Sequence, residues 1–225
     1  MAPTARSARA PGGRRRPRRT LGLLACAAVA VALERSLRTF PYGPRDLELF
    51  GVVLAKAAAL AAGFGGAWAL GHPPRALGLA WPARRARPLV ALAVVVAVVG
   101  GLALGQLDGV RAHYPMYGPA RSSAGALALS TGVFAVYALT WELMFRGVLL
   151  FGARPLLGRA SLVAQAAMVT LAHLDKPAVE LALAFPGGLA FGLLAVRARS
   201  ALAPLAAHVA LALAVNVACV APRLL

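Results

Sequence analysis

The chain has 225 residues, of which 60% are hydrophobic and 14% are charged, and its mean hydropathy is +0.73. A soluble globular domain has roughly 45–50% apolar and about 25% charged residues, so this composition excludes a water-soluble enzyme and a disordered chain. The net charge of +17 would suggest nucleic-acid binding in a soluble domain. Here the basic residues lie between apolar runs, where topology and lipid headgroups account for them. We therefore expect a multi-pass membrane protein that binds no nucleic acid.

The first twenty residues contain seven arginines among Pro, Gly, Ser and Ala, and we expect residues 1–20 to be a basic, disordered cytoplasmic tail. The apolar run at 21–33 that follows is short for a membrane span. We interpret it as an uncleaved first span, although its length also fits a signal peptide. The two cysteines, Cys26 and Cys219, lie far apart in apolar runs, so they indicate neither a disulfide framework nor a zinc cluster.

Further apolar runs follow along the chain, and with 21–33 they predict about seven spans. They lie at 47–70, 89–107, 124–153, 160–174, 178–196 and 201–220. Under this division most basic residues fall on one side, so the positive-inside rule places the N-terminus in the cytoplasm. The runs are too continuous for barrel strands, and we predict an all-α transmembrane bundle. Its parts would be three N-terminal helices at 21–123 and a four-helix catalytic core at 124–225.

Six ionisable residues interrupt these apolar runs: Lys56, Glu142, Arg146, His173, Glu180 and His208. An ionisable group inside the bilayer costs about 2.5–3.5 kcal/mol on insertion scales, so each one needs a partner or a function. Glu142 and Arg146 have the spacing at which a carboxylate and a guanidinium meet on one helix face. This pair is equally compatible with a structural and a functional role. Glu180 follows Pro177 in the first turn of a helix, where a carboxylate can act as a cap.

Glu142, His173 and His208 lie on three different predicted spans, which can converge in a helical bundle. A carboxylate and two imidazoles around one water molecule are the minimum equipment for hydrolysing an amide. The same three side chains would also be a plausible zinc-binding set.

The segment from Trp141 to Gly147, WELMFRG, followed by His173 and then His208, resembles the CPBP family of intramembrane glutamic endopeptidases. This family is also called the CAAX protease and bacteriocin-processing, or Abi, family. Its pattern is EExxxR, FxxxH and HxxxN or HxxxD on successive transmembrane helices, and the resemblance covers about 124–217.

This chain departs from the family pattern at three positions. Trp141 stands in place of the first Glu, Val169 in place of the Phe, and Ala212 at the Asn position, with Asn216 one turn later. Either the chain belongs to a subgroup with a Trp-Glu start in which Glu142 has become the base, or it keeps the fold without the chemistry. We favour the subgroup, because an inactive site would have little reason to keep these charges in lipid.

The resemblance implies an intramembrane endopeptidase in which Glu142 activates a water as general base. His173 would orient that water or donate a proton, His208 would stabilise the oxyanion, and Arg146 would hold Glu142. Asn216 and Glu180 would be supporting residues. No cofactor is expected, although a divalent metal such as zinc is left open.

The expected substrate is a membrane-anchored protein or peptide, cleaved at a C-terminal anchor or sorting signal, a CAAX-type tail or a leader. The expected location is the inner membrane of a bacterium. The alternatives are a catalytically inactive membrane factor of the same fold and, with less support, a small transporter.

Overall fold

The computed structural model describes residues 20–25, 28, 29, 32 and 48–224. Within these ranges every regular element is helical, which confirms the predicted all-α fold. The predicted tail, apart from Thr20, lies outside the described residues, as do much of the predicted first span at 21–33 and Cys26. The helices are α1 Glu48–Ala69, α2 Arg87–Leu104, α3 Asp108–His113, α4 Ala124–Glu142, α5 Gly152–Leu157, α6 Ala160–Leu171, α7 Ala178–Ala198 and α8 Ala203–Leu224.

Five helical segments of the described chain are long and apolar enough to cross a membrane. They are Phe50–Ala69, Arg84–Leu104, Ala124–Leu157, Ala178–Ala198 and Ala203–Ala221. The span predicted at 160–174 is wrong, because α6 has only 12 residues. At 1.5 Å per residue it is about 18 Å long, well short of the roughly 30 Å hydrocarbon core. The described chain therefore contains five spans and one short apolar helix, instead of the six predicted beyond residue 33.

The helix that carries Glu142 does not continue as an α-helix. Residues Leu143–Phe151 form a π-helix between α4 and α5, and the apolar segment Ala124–Leu157 contains all three. A π-helix bonds each N–H to the carbonyl five residues earlier, which widens the turn, and such segments are frequent at functional sites. Glu142 is the last residue of α4, and the π-helix begins directly after it. Arg146 lies within this π-helix, four residues after Glu142.

Close contacts at glycines hold two helix pairs together. A Cβ at Gly188 of α7 would lie 3.1 Å from Cα of Ala166 in α6, and a Cβ at Gly192 would lie 2.6 Å from Nε2 of Gln165. Gly188 and Gly192 have the GxxxG spacing that lets two helices pack closely. Gly101, in α2, and Gly105, directly after its end, form a second pair with this spacing.

The second glycine pair lets α2 pack along α8. A Cβ at Gly101 would lie 2.6 Å from the carbonyl oxygen of Leu211, and one at Gly105 would lie 2.9 Å from the carbonyl oxygen of Val215. Neither position has room for a side chain. The two helices therefore approach so closely that α2 forms a wall next to the face of α8 that carries His208.

The main buried cluster joins α1 to α4 and the π-helix. An aromatic ladder runs along it, with ring centroids 4.8 Å apart for Phe134 and Tyr137, 5.8 Å for Tyr137 and Trp141, and 4.6 Å for Trp141 and Phe145. The spacing of three or four residues places these rings on one face of the helix. This face packs against α1, which brings Lys56 next to Trp141.

Candidate active site

Glu142 is the most deeply buried acidic residue among those the structure describes, with none of its surface exposed. Its Oε1 accepts a hydrogen bond of 3.1 Å from Nη1 of Arg146 and lies 2.7 Å from Nδ1 of His208. The pairing predicted from the spacing of Glu142 and Arg146 is thus formed, and α8 contributes a third group. Because the carboxylate is enclosed by protein, it is held by these two charge-assisted hydrogen bonds and not by solvent.

Within the described part of the chain, the other oxygen of the carboxylate has no protein partner. Oε2 of Glu142 is buried and makes no hydrogen bond, and the same is true of Nε of Arg146. A buried polar atom without a partner is costly, and in native proteins such an atom usually meets an ordered water or a ligand. The carboxylate therefore has one oxygen fixed by the protein and one oxygen available as an acceptor.

Arg146 and His208 are framed by aromatic rings. The guanidinium of Arg146 lies 5.5 Å from the centroid of Phe191, a residue of α7. The ring of His208 lies 5.9 Å from that of Phe191 and 6.2 Å from that of Phe134. These contacts fix the direction of both side chains, so the hydrogen bonds to Glu142 are made by groups with little freedom to move.

His173 follows the end of α6 and occupies a different part of the site. Its Nδ1 lies 2.7 Å from the carbonyl oxygen of Val169, so Nδ1 carries the proton and Nε2 is the free acceptor. The ring stands nearly perpendicular to that of Trp141, with centroids 5.3 Å apart. In the described part of the chain it forms no hydrogen bond with Glu142 or His208. The structure thus brings two of the three predicted catalytic residues, Glu142 and His208, into direct contact. The third, His173, contacts Trp141, which immediately precedes Glu142 in the sequence.

A cavity of about 780 Å³ connects these elements. Most of its wall is apolar, and five of the predicted site residues contribute to it: Arg146, His173, Glu180, His208 and Asn216. The sixth, Glu142, is not part of the wall and lies one hydrogen bond behind it, in contact with Arg146 and His208. The site is therefore an apolar chamber with a few polar groups and a buried carboxylate behind two of them, which is typical of ligand pockets.

Glu180 has a partner that the sequence did not indicate. Its Oε2 accepts a hydrogen bond of 3.0 Å from the hydroxyl of Tyr114, in the loop between α3 and α4. Burial raises the pKa of Tyr114 well above its usual value, so this hydroxyl stays protonated and remains a donor. Glu180 lies in the first turn of α7, as the capping hypothesis requires, but its carboxylate binds the tyrosine and lines the cavity.

Lys56 packs next to the site, against rings of α4, a position that the sequence did not predict. Its Nζ lies 4.1 Å from the ring centroid of Trp141 and 4.7 Å from that of Tyr137. A cation over the face of an aromatic ring is attracted by the ring quadrupole. The only signal in the sequence was a lysine inside an apolar run, and nothing in that pattern identifies which of the other helices it faces.

The prediction about cofactors is not decided by these contacts. Among the residues that the structure describes, no three His, Cys, Asp or Glu side chains are grouped so that they could hold a metal ion. Glu142, His173 and His208 therefore do not form the zinc set that their residue types allowed. The expectation that the reaction uses no cofactor stays a prediction.

Comparison with protein families gives a match to the family described as type II CAAX prenyl endopeptidase Rce1-like, over residues 120–214. This range contains Glu142, Arg146, His173 and His208. Residues 120–214 are therefore Rce1-like. The resemblance inferred from the sequence is confirmed over this range, which ends just before Asn216.

The matched family is described as one of endopeptidases, which hydrolyse peptide bonds. The five segments that are long and apolar enough to cross a membrane indicate an integral membrane protein. Comparison with curated proteins and with solved structures gave no match.

Proposed function

We propose that this protein is an intramembrane endopeptidase of the glutamic type, in which Glu142 activates a water molecule. One observation carries the proposal: a fully buried carboxylate has one oxygen held by Arg146 and His208, while Oε2 is buried without a partner. A carboxylate fixed in this way is suited to accept a proton from a water bound at Oε2. The Rce1-like segment supplies the class of reaction.

The reaction follows from the roles that the contacts allow. A water at Oε2 of Glu142 gives up a proton to the carboxylate as its oxygen attacks the carbonyl carbon of the substrate. His173, with its proton on Nδ1 held by Val169, can orient this water through Nε2. His208 donates from Nδ1 to Oε1 of Glu142, and its ring would help to stabilise the developing oxyanion. The carbon–nitrogen bond then breaks, and Glu142 returns the proton to the leaving amine.

Arg146 is the positioning residue in this scheme. Its Nη1 bonds to the same oxygen of Glu142 as His208, which leaves Oε2 for the water. Its positive charge also compensates for the hydration that the carboxylate loses on burial.

The substrate would be a membrane-anchored protein or peptide, because the cavity lies among the membrane-spanning helices and most of its wall is apolar. A C-terminal anchor or sorting signal, a CAAX-type tail or a leader peptide would each fit. The protein would act in the inner membrane of a bacterium.

The test compares membrane proteins from cells that produce the wild-type chain with those from cells that produce Glu142→Gln. New protein termini created by cleavage are quantified by mass spectrometry, and the amount of each variant is checked by immunoblot. Loss of a general base lowers rates by about 10²–10⁴, so termini that depend on the wild type should become undetectable. Val217→Leu, at a largely exposed position of α8 outside the cavity wall, is the matched control.

An identical set of termini from wild type and Glu142→Gln, at equal protein levels, would contradict the proposal. The catalytically inactive membrane factor of the same fold would then be the better description. His208→Ala should have the same effect as Glu142→Gln, because both remove part of one hydrogen-bonded unit.

A further inference from the structure

Building on the endopeptidase function above, we propose that Asn216, Glu180 and Tyr114 form a second polar subsite in the cavity. This main-chain subsite binds backbone N–H groups of an extended substrate peptide, three or four residues away from the bond that is cleaved. Asn216 and Glu180 are the groups that touch the substrate, and Tyr114 positions Glu180.

The three residues come from three parts of the chain that meet in one small cluster. Val110, Val215 and Cys219 form its buried core, and Tyr114 and Val179 pack against it. Val215 immediately precedes Asn216 on α8, and Val179 immediately precedes Glu180 on α7. The packing of their neighbours therefore brings Asn216 and Glu180 to the same region of the cavity wall, which both of them line.

Asn216 has an unused acceptor. Its side chain is only 4% exposed, it lines the cavity, and its Oδ1 is buried without a hydrogen-bond partner. A buried amide oxygen without a partner destabilises a folded protein, because it loses its hydrogen bonds to water. A chain keeps such a group where a ligand supplies the missing donor.

Glu180 adds a second acceptor and narrows the class of ligand. Its Oε2 accepts a hydrogen bond from the Tyr114 hydroxyl, and no donor among the described residues bonds to its other oxygen. A carboxylate repels anionic ligands such as a phosphate or a free carboxylate. The ammonium of Lys176, 5.4 Å from the ring of Tyr114, disfavours a cationic ligand. The ligand that is compatible with both charges is a neutral hydrogen-bond donor.

The main chain of a peptide is the neutral donor that this cavity most needs to accommodate. A polypeptide in a mostly apolar chamber loses the water that satisfies its N–H groups, and each unsatisfied group costs several kcal/mol in lipid. Acceptors on the wall remove this penalty. An extended strand offers N–H groups to one side at every second residue, which suits two acceptors on neighbouring helices.

The position of the subsite follows from helix geometry. Asn216 lies eight residues after His208 on α8, which corresponds to about 12 Å along the helix axis. An extended peptide rises about 3.3 Å per residue, so this distance spans three or four residues. A peptide bound at both places would have its scissile bond at Glu142 and His208 and its more distant residues at the main-chain subsite.

The experiment uses two matched pairs of variants in the full-length protein. Asn216→Leu and Glu180→Leu remove the acceptor, whereas Asn216→Asp and Glu180→Gln keep one in a side chain of similar shape. Cleaved termini are quantified as for Glu142→Gln, and thermal unfolding in detergent reports on the fold. We expect the leucine variants to lower the wild-type products about tenfold and to shift the cleavage position, and the acceptor-retaining variants to lower the products less and to keep the cleavage position.

The outcomes separate this subsite from the proposed function. Products that are lost in Glu142→Gln but unchanged in amount and position in both leucine variants would overturn the subsite alone. Equal losses within a matched pair would also overturn it, because a missing acceptor would not then be the cause. Products unchanged in Glu142→Gln would overturn the endopeptidase function, and the subsite with it.

Discussion

Glu142 and Arg146 illustrate how a charged pair can be kept among membrane-spanning helices. Neither side chain reaches solvent, so their attraction to each other, with His208 as a third partner, has to replace the hydration that both have lost. A buried pair of this kind contributes little net stability compared with apolar residues. Removing only one partner of the pair destabilises the protein strongly, because the other charge then remains isolated in the interior.

Arg146→Met should therefore be more destabilising than the double variant Glu142→Gln/Arg146→Met. Removing one partner of a buried pair costs about 3–5 kcal/mol, and removing both recovers much of that loss. Unfolding titrations with SDS, starting from the protein in mild detergent, measure the difference. A double variant that is as unstable as Arg146→Met would show that the guanidinium stabilises the fold through packing instead of charge.

Lys56 and Trp141 should be energetically coupled across the interface of α1 and α4. A desolvated cation–π contact contributes up to about 2 kcal/mol, so a double-mutant cycle of Lys56→Met and Trp141→Leu should give a coupling energy of about 1–2 kcal/mol. The same unfolding titration provides the four free energies. Lys56→Met paired with Trp68→Leu is the control, since Trp68 is largely exposed, and additive effects are expected there.

For single residues, the sequence predicted which of them belong to the site better than it predicted which residues they contact. The contact of Glu142 with Arg146 follows from helical spacing, and the contact with His208 was one of several that a bundle allowed. The contacts of Lys56 with Trp141 and of Tyr114 with Glu180 depend on how distant segments pack, which no local pattern contains. The role of the unpartnered Asn216 oxygen likewise appears only when its surroundings are known.

Among the helices, the π-helix is the clearest departure from the prediction. The run at 124–153 was predicted as one span, and the structure divides it into α4, the π-helix Leu143–Phe151 and α5. Almost every residue in this run is apolar, so its hydrophobic pattern cannot distinguish 3.6 residues per turn from the wider π turn. The site residue Arg146 lies in the part that the pattern describes least well.

Gly101→Ala should weaken the packing of α2 on α8, whereas Gly100→Ala should not. A Cβ at Gly101 would meet the Leu211 carbonyl oxygen at 2.6 Å, but one at Gly100 meets no atom within 4 Å. Overpacking costs about 1–3 kcal/mol, and alanine in a free helical position gains about 0.5–1 kcal/mol over glycine. Unfolding titration of both variants tests this, and similar stabilities would contradict the close approach of the two helices.

The arrangement of the whole chain in the membrane makes a prediction about sidedness. Because Arg84–Leu104 is long enough to cross the bilayer, Arg85 and Gly109 should lie on opposite sides of it. The positive-inside rule places Arg85 in the cytoplasm. In a background of Cys26→Ala and Cys219→Ala, Gly109→Cys should react with an impermeant maleimide in intact cells, and Arg85→Cys only after permeabilisation.

Labelling of both cysteines from the same side would show that this segment does not span the membrane. Labelling from opposite sides in the reverse sense would keep the span and invert the predicted topology. The exposed positions of Arg85 and Gly109 make both cysteines reactive in the folded protein.

The short helix α6 also affects how the molecule meets its surroundings. From the level at which Ala166 contacts Gly188, α6 continues for five residues to its end, whereas α7 extends ten residues back to its start. Measured along the helix axes, the end of α6 at Leu171 is therefore set back by about 7 Å from the start of α7 at Ala178. For the hydrolysis that we propose, this recess next to His173 would shorten the path of bulk water to the site, and a thicker bilayer would lengthen that path and slow turnover.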